Sequence, residues 1–369
     1  MFFYLIFLYL DVLILNFRQF LIFKLFYQTF VYYCNKLKIR LYYMKICFVM
    51  YPWEKVEPGK DTTMRLIKEC VNRGFEVSYL TTKDISINKG KVVGKCNKLI
   101  SIETEDCVEF YHTMQFETAV KDLTSFDIIF MRSDPPVDPL LLNMLEMIED
   151  EVFFVNKPSG LRKANNKIYA ASFDDGKESI VPQTLITRDV ELIKQFVEEY
   201  NFERFIVKPL DGMGGKGVVL FEKNSIGNLS SIADFYINHD GKPQPIICQN
   251  YIEGAEKGDV RAIVINGEPI GAIMRVPAAG DHRSNISAGG SAIKHDLTDH
   301  EINLCRQMGE RLVKDGIYFT GIDLINGKMV ELNVVSPGGI VPHNNVNGNT
   351  DIQKQIISMI LEKYEEFKK

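Results

Sequence analysis

Two apolar runs joined by a glycine-rich loop restrict the fold of this chain most. The segment Lys208-Pro-Leu-Asp-Gly212-Met-Gly214-Gly215-Lys216-Gly217 contains a literal G-x-G-x-x-G. In a dinucleotide-binding turn that motif opens a helix whose N-terminus holds a pyrophosphate. Here the β-branched, apolar Val218-Val219-Leu220-Phe221 follows instead, which predicts a second strand. Strand, glycine loop, strand describes a flap over nucleotide phosphates, because residues without Cβ let backbone N–H groups approach anions. Gly212, Gly214 and Gly215 are the expected backbone contacts, and Lys208 at the end of the incoming strand can reach a phosphate as a point charge. A glycine-rich hairpin with a surface lysine is the competing interpretation.

A second set of residues lies downstream: Gly321-Ile322-Asp323-Leu324, then Asn326-Gly327, then Glu331-Leu332-Asn333. Glu331 and Asn333 are two apart on a predicted strand and share a face. Joined by Asp323, they offer oxygens of the kind Mg²⁺ takes while completing its shell with phosphate and water. Pairing decides whether Asp323 can join them. A two-residue Asn-Gly turn would set Asp323 opposite Val330, whereas a three-residue loop with a glycine bulge would set it opposite Glu331. The odd-numbered loop is therefore predicted; solvated acids on an edge hairpin are the alternative.

Between these segments, Arg275 to Gly290 is rich in small residues and contains Arg283, which describes either a mobile loop closing over developing negative charge or a plain surface loop. Arg261 sits inside the apolar strand Val260 to Ile265, and a charge on a buried strand calls for a partner.

From Met44 onward, short apolar runs alternate with amphipathic stretches, as in α/β domains. Strands are predicted at Lys45 to Met50, Phe75 to Leu80, Phe126 to Met131, Phe205 to Pro209, Val218 to Glu222 and Ile246 to Tyr251. Pro269 to Val276 pairs with the Arg261 strand across Asn266-Gly267, and Tyr318 to Ile325 precedes Lys328 to Val335. Helices are predicted over Thr62 to Arg73, stopped by Gly74, over Arg162 to Phe173 and over Glu191 to Tyr200.

A net charge of -5, from 43 Lys+Arg against 48 Asp+Glu, leaves no basic stripe for a nucleic acid. The 7 cysteines are scattered without a C-x-x-C pair, and the 6 histidines lack zinc-hydrolase spacing. A reducing cytoplasm follows from that cysteine usage.

Residues 1–43 are crowded with Phe, Tyr, Leu and Ile, but Asp11, Arg18, Lys24 and Lys36 interrupt them before about 18 to 20 uncharged residues accumulate. Met44 is read as the initiator and the upstream stretch as a leader. A membrane-surface anchor is the alternative, though a membrane is not the expected partner.

These pieces resemble the ATP-grasp superfamily and, in detail, bacterial glutathione synthetases over Met44 to Lys369. The matches run in order: Phe130-Met-Arg-Ser-Asp-Pro-Pro136, Val155-Asn-Lys-Pro158, Leu161-Arg with Asn166-Lys167, the Lys208 glycine loop, Gln249-Asn-Tyr251, Gly258-Asp-Val-Arg261, Gly289-Gly290, Gly321-Ile-Asp323, and Glu331-Leu-Asn333 with Ser336-Pro337. The resemblance implies an α/β chain, α+β overall: an open parallel-sheet domain over 44–160, then two α+β subdomains, 161–250 and 251–369, clamping ATP. It also implies a homo-oligomer.

The implied reaction joins γ-glutamylcysteine to glycine through an acyl phosphate. By similarity, Lys167 and Lys208 hold ATP phosphates, and Gln249, Asn250, Tyr251 and Ile252 form a strand edge that reads adenine. Asp323, Glu331 and Asn333 hold Mg²⁺, with Mn²⁺ as a substitute, and Asn333 also lies against the nucleotide. Arg261, Arg275 and Arg283 receive substrate carboxylate or the transferring phosphoryl group.

Three features depart from the family pattern on the substrate side: Tyr51 stands where an acid is expected, Ser133 replaces a lysine, and Gly338-Gly339 alters a Ser-Pro-Thr pattern. A related ligase with another peptide substrate, or a non-catalytic ATP-binding subunit, is therefore kept alongside.

Overall fold

The computed structural model describes residues 44–100, 104, 106–174, 180–210, 217–238, 243–278 and 289–369, the side chains of 225 and 226 excepted. Residues 1–43 lie outside this set, as do Gly212, Gly214, Gly215 and Arg283.

The first sheet contains β1 (Lys45–Met50), β2 (Glu76–Thr81), β3 (Ile85–Asn88), β4 (Lys91–Ile100), β5 (Gln115–Asp122), β6 (Ile128–Arg132) and β7 (Phe153–Val155). Its order is β3-β4-β2-β1-β6-β7, with β5 on β4. The apolar β1 and β6 are parallel neighbours at its centre, buried on both faces as their unbroken hydrophobic runs require. The antiparallel extension β3 to β5 has no counterpart in the predicted strands, because its residues alternate with Lys, Asn and Glu. Helix α1 (Thr62–Asn72) starts where Asp61 Oδ1 accepts the Met64 N–H at 2.7 Å and ends at Gly74, whose φ is 80°. Helices α2 (Cys107–Thr113) and α3 (Pro139–Glu146) complete this part.

The predicted helix over Arg162 to Phe173 is two helices, α4 (Pro158–Ala164) and α5 (Lys167–Ala171). Asn166 breaks it: its backbone is extended, with φ −137°, and its side chain accepts the Ile168 N–H at 3.0 Å. That new cap makes Lys167 the first residue of α5.

The second sheet, β8 (Thr184–Thr187), β9 (Arg204–Pro209), β10 (Val219–Glu222) and β11 (Ile246–Asn250), is antiparallel in the order β10-β9-β11-β8. Helices α6 (Val190–Glu199) and α7 (Leu229–Ile237) cover one face, burying Phe205, Val207, Phe221 and Cys248. The alternate residues Ile206, Lys208 and Gln249 belong to the other face.

The third sheet, also antiparallel, comprises β12 (Asp259–Ile265), β13 (Glu268–Val276), β14 (Ser291–Lys294), β15 (Phe319–Ile325) and β16 (Lys328–Asn333), in the order β14-β13-β12-β15-β16. Helix α8 (Asp299–Lys314) packs Leu304 and Met308 against Val260 and Leu324 on one face. Short α9 (Ile340–Val346) and α10 (Ile352–Phe367) cover part of the other, against Ile263 and Ile265.

The first and third sheets share their cores: Cys47 and Ile129 cluster with Ala262 and Ile322, and Phe48 and Phe130 with Ile263 and Ile356. Buried Asn156 stitches them further. Its amide donates to Phe319 and Val334 carbonyls at 2.7 and 2.8 Å and accepts from the Tyr318 and Phe319 N–H groups, each at 2.7 Å. The second sheet has a core of its own.

Candidate active site

The glycine loop lies between two antiparallel strands, as its flanking residues require: Val219 pairs with Val207 and Glu222 with Arg204. Lys208, near the end of β9, is buried, and its Nζ donates to Gln249 Oε1 on β11 at 3.0 Å. Gln249 is oriented in turn by donating to Thr184 Oγ1 at 2.7 Å. Burial lowers the Lys208 pKa to about 8, with Glu331 opposing the shift and Lys167 adding to it. Lys208 thus looks across from the second sheet toward β16.

Lys167 Nζ donates to the Leu210 carbonyl at 3.3 Å and lies 3.6 Å from Glu331 Oε1. A cavity of about 200 Å³ opens here, lined by Pro135, Asn166, Lys167, Leu210, Glu331 and Asn333 among others. Two roomier hollows, of about 490 and 480 Å³, share the wall residues Val260, Met274 and Asn326 and contain none of the candidate residues. Convergence of ionisable groups, rather than volume, marks the smaller cavity as the site.

Asp323 does stand opposite Glu331, but by another route than the three-residue loop. The turn is the two-residue one: Ile325 pairs with Lys328, and Asn326 and Gly327 have φ values of 47° and 71°. The extra residue is accommodated inside β16, where Leu324 pairs with Met329 and Asp323 with Glu331, leaving Val330 as a bulge.

Arg261 has the partner its burial demands. It pairs across the sheet with Asp323, its Nε donating to Asp323 Oδ1 and its Nη2 to Oδ2 at 2.8 Å. Arg275 Nη2 donates to the same Oδ2 at 2.7 Å, and Asn333 Nδ2 to it at 3.2 Å. Burial alone would raise the Asp323 pKa, but the two guanidiniums overcome it and leave it lowered, so the carboxylate is ionised. Gly321 makes room for this arrangement, since a Cβ there would stand 2.9 Å from Arg261 Cδ.

The resemblance implies a strand edge at Gln249 and Asn250, but β11 lies between β9 and β8. The Asn250 and Tyr251 N–H groups donate to Gln183 and Arg204 carbonyls at 3.0 and 3.2 Å, and Ile252 lies just past the strand. The Arg204 guanidinium sits 4.2 Å from the Tyr251 ring centre.

The departures meet at the carboxyl ends of β1 and β6, where ligands of parallel sheets bind. Arg132 is buried, donating from Nε to Thr63 Oγ1 at 3.0 Å and from Nη1 to the Pro337 carbonyl at 3.0 Å. Tyr51 hydroxyl donates to Asp61, and Ser133 Oγ is buried without a hydrogen-bond partner among the described residues. Nothing in sequence periodicity marks the surroundings of Arg132; its described partners come from the packing of α1 and the 336–339 loop around it.

Solved structures share this architecture. The crystal structure of D-cycloserine synthetase DcsG matches with a TM-score of 0.60 at 14% identity, covering 86% of this chain and 99% of that one. The ATP-grasp ligase PsnB, complexed with minimal precursor, Mg and ADP, matches with a TM-score of 0.55 at 15% identity, covering 87% and 98%. Two sheets facing each other across lysines and acids therefore form an ATP-grasp fold, that of a class of ATP-dependent ligases.

Sequence relatives narrow the class. Residues 44–162 match the family "Prokaryotic glutathione synthetase, N-terminal domain", and residues 166–348 match "Prokaryotic glutathione synthetase, ATP-grasp domain". The glutathione synthetase of Gloeobacter violaceus is 33% identical over 86% of this chain and 97% of its own length. That of Agrobacterium fabrum is 36% identical over 76% and 85%. The chain belongs to the prokaryotic glutathione synthetase family and is an ATP-dependent ligase.

Proposed function

We propose that the chain condenses γ-glutamylcysteine with glycine, through the two steps of carboxylate activation and aminolysis. A carboxylate resists nucleophiles, so its oxygen first attacks the γ-phosphorus of ATP, and the bond from that phosphorus to the β-phosphate oxygen breaks to release ADP. The glycine amine then attacks the acyl-phosphate carbon; the carbon to phosphate-oxygen bond breaks, inorganic phosphate leaves and the amine gives up a proton.

The convergence of Lys167, Lys208 and Glu331 between two sheets carries this proposal. Lys167 and Lys208 bind phosphate oxygens, with Gly212, Gly214 and Gly215 among the nucleotide-binding residues. Gln249, Asn250, Tyr251 and Ile252 border the adenine. Arg261 and Arg275, joined by Arg283, stabilise charge on the transferring phosphoryl group as planar donors.

Asp323, Glu331 and Asn333 fit a hard divalent cation, since two carboxylates and an amide meet on one hairpin face and Asp323 is ionised. Bound there, Mg²⁺ would screen phosphate charge. The cation-binding oxygens face arginines and Lys167 in the protein alone, so nucleotide and cation exchange partners with the chain's own charges. We place the enzyme in the cytoplasm; among the described residues no helix is long and apolar enough to cross a membrane.

ADP release by the protein beginning at Met44, with ATP, Mg²⁺, γ-glutamylcysteine and glycine, tests the proposal. Release is expected to require both co-substrates. Tyr51, Ser133 and Gly338-Gly339 favour one second reading, a ligase acting on another dipeptide; release with γ-glutamylcysteine replaced by a different γ-glutamyl acid, and none with the thiol peptide, would establish it instead.

A further inference from the structure

We propose that Asp259 is a positioning residue of the cation site: it divides Arg275 between two carboxylates and so keeps Asp323 available to a divalent ion. The inference rests on the cation-binding role proposed for Asp323.

Asp259 opens β12 and pairs directly across the sheet with Arg275 on β13. Both are buried, and Arg275 Nε donates to Asp259 Oδ1 at 2.6 Å while its Nη2 donates to Asp323 Oδ2 at 2.7 Å. One guanidinium thus bridges two acids from different strands. Arg261, on the intervening strand β12, donates to the same Asp323 Oδ2 at 2.8 Å.

Among the described residues, two guanidiniums and two carboxylates meet in this network. Without the Asp259 charge, the guanidiniums of Arg261 and Arg275 would both draw on Asp323, and a divalent cation would enter a pocket carrying one more net positive charge. Removing one unit charge from such a buried network weakens binding of a divalent cation by at least about tenfold at the effective dielectric of protein interiors.

The backbone holds the same geometry. Gly258 has a φ of 113°, and a Cβ there would lie 1.9 Å from the Arg275 carbonyl oxygen. Only glycine lets the start of β12 approach the end of β13 so closely. Gly258 therefore positions the Arg275 backbone and Asp259 its side chain, which gives the Gly258-Asp-Val-Arg261 motif a physical reason beyond Arg261 itself.

Mn²⁺ binding by electron paramagnetic resonance, on the full chain with a non-hydrolysable ATP analogue, provides the test. Asp259→Asn is expected to raise the Mn²⁺ dissociation constant at least about tenfold, with Asp259→Glu restoring most of the affinity because charge is returned. Glu268→Gln, which removes an exposed acid from the same sheet, should leave it unchanged. Thermal unfolding of each variant separates folding from binding. A folded Asp259→Asn enzyme with wild-type Mn²⁺ affinity overturns the inference. Asp323→Asn supplies the second arm: if it too binds Mn²⁺ normally, the cation-site assignment fails; if it alone loses Mn²⁺, only the role of Asp259 does.

Discussion

Lys208 shows how a single side chain carries both burial and function. Lysine loses charge readily when desolvated, and here its pKa falls to about 8. Its positive charge is full below that pH and lost above it, so nucleotide affinity should decline as pH rises through 8. Calorimetric titration with an ATP analogue from pH 7 to 9 checks this, and Lys208→Met should remove the pH-dependent limb. The stability sign is opposite: between about pH 8 and 10.4 the unfolded lysine retains a proton the folded one has lost, so folding stability rises with pH there. Glu331 is the partner residue, 3.6 Å from Lys167. Glu331→Ala should reduce turnover by about 10²- to 10³-fold with the circular dichroism spectrum retained; unchanged turnover would remove it from the cation site.

At the scale of elements, the β15–β16 hairpin explains why pairing rules alone misjudged the loop yet reached the right partner. Asn326-Gly327 adopts positive φ at both positions and closes the turn in two residues. Two residues then separate Asp323 from the turn while three separate Glu331, and the bulge at Val330 absorbs the difference. Turn chemistry is local and legible; where a strand buckles depends on its neighbours, here β12 pinning Asp323 through Arg261. Helix α8 is locally specified too. Thr298 and Glu301 cap it reciprocally, with Glu301 Oε2 accepting the Thr298 N–H at 2.8 Å. Thr298→Ala should cost about 1 kcal/mol and lower the thermal midpoint by about 1–2 °C without altering turnover; an unchanged melting curve would argue that packing on the third sheet alone holds α8.

At the scale of the molecule, the first and third sheets form one body through shared cores, while the second sheet has its own. The site lies where these bodies face each other, with Lys208 from one and Lys167 and Glu331 from the other. Asn156 ties the first sheet to the third through four hydrogen bonds. Asn156→Ala would leave several buried backbone groups unpaired, and a loss of about 3 kcal/mol in urea unfolding is expected; a variant as stable as the parent would place the attachment in apolar contact alone. That role was not visible in Val155-Asn-Lys-Pro158, which looked like one motif among several. Six described cysteines are buried free thiols, in line with their scattered spacing.

Local chemistry in the sequence determined the strands that flank the glycine loop, the Asn-Gly turns and the helix caps. Each depends on neighbours within a few residues, where sterics and hydrogen bonding act directly. Tertiary structure alone decided that Lys167 meets Glu331, that β11 lies inside its sheet, and that Arg275 is shared between Asp259 and Asp323. Those outcomes arise from charges and backbone groups brought together from distant strands, where burial makes an unpaired partner costly and so selects one arrangement.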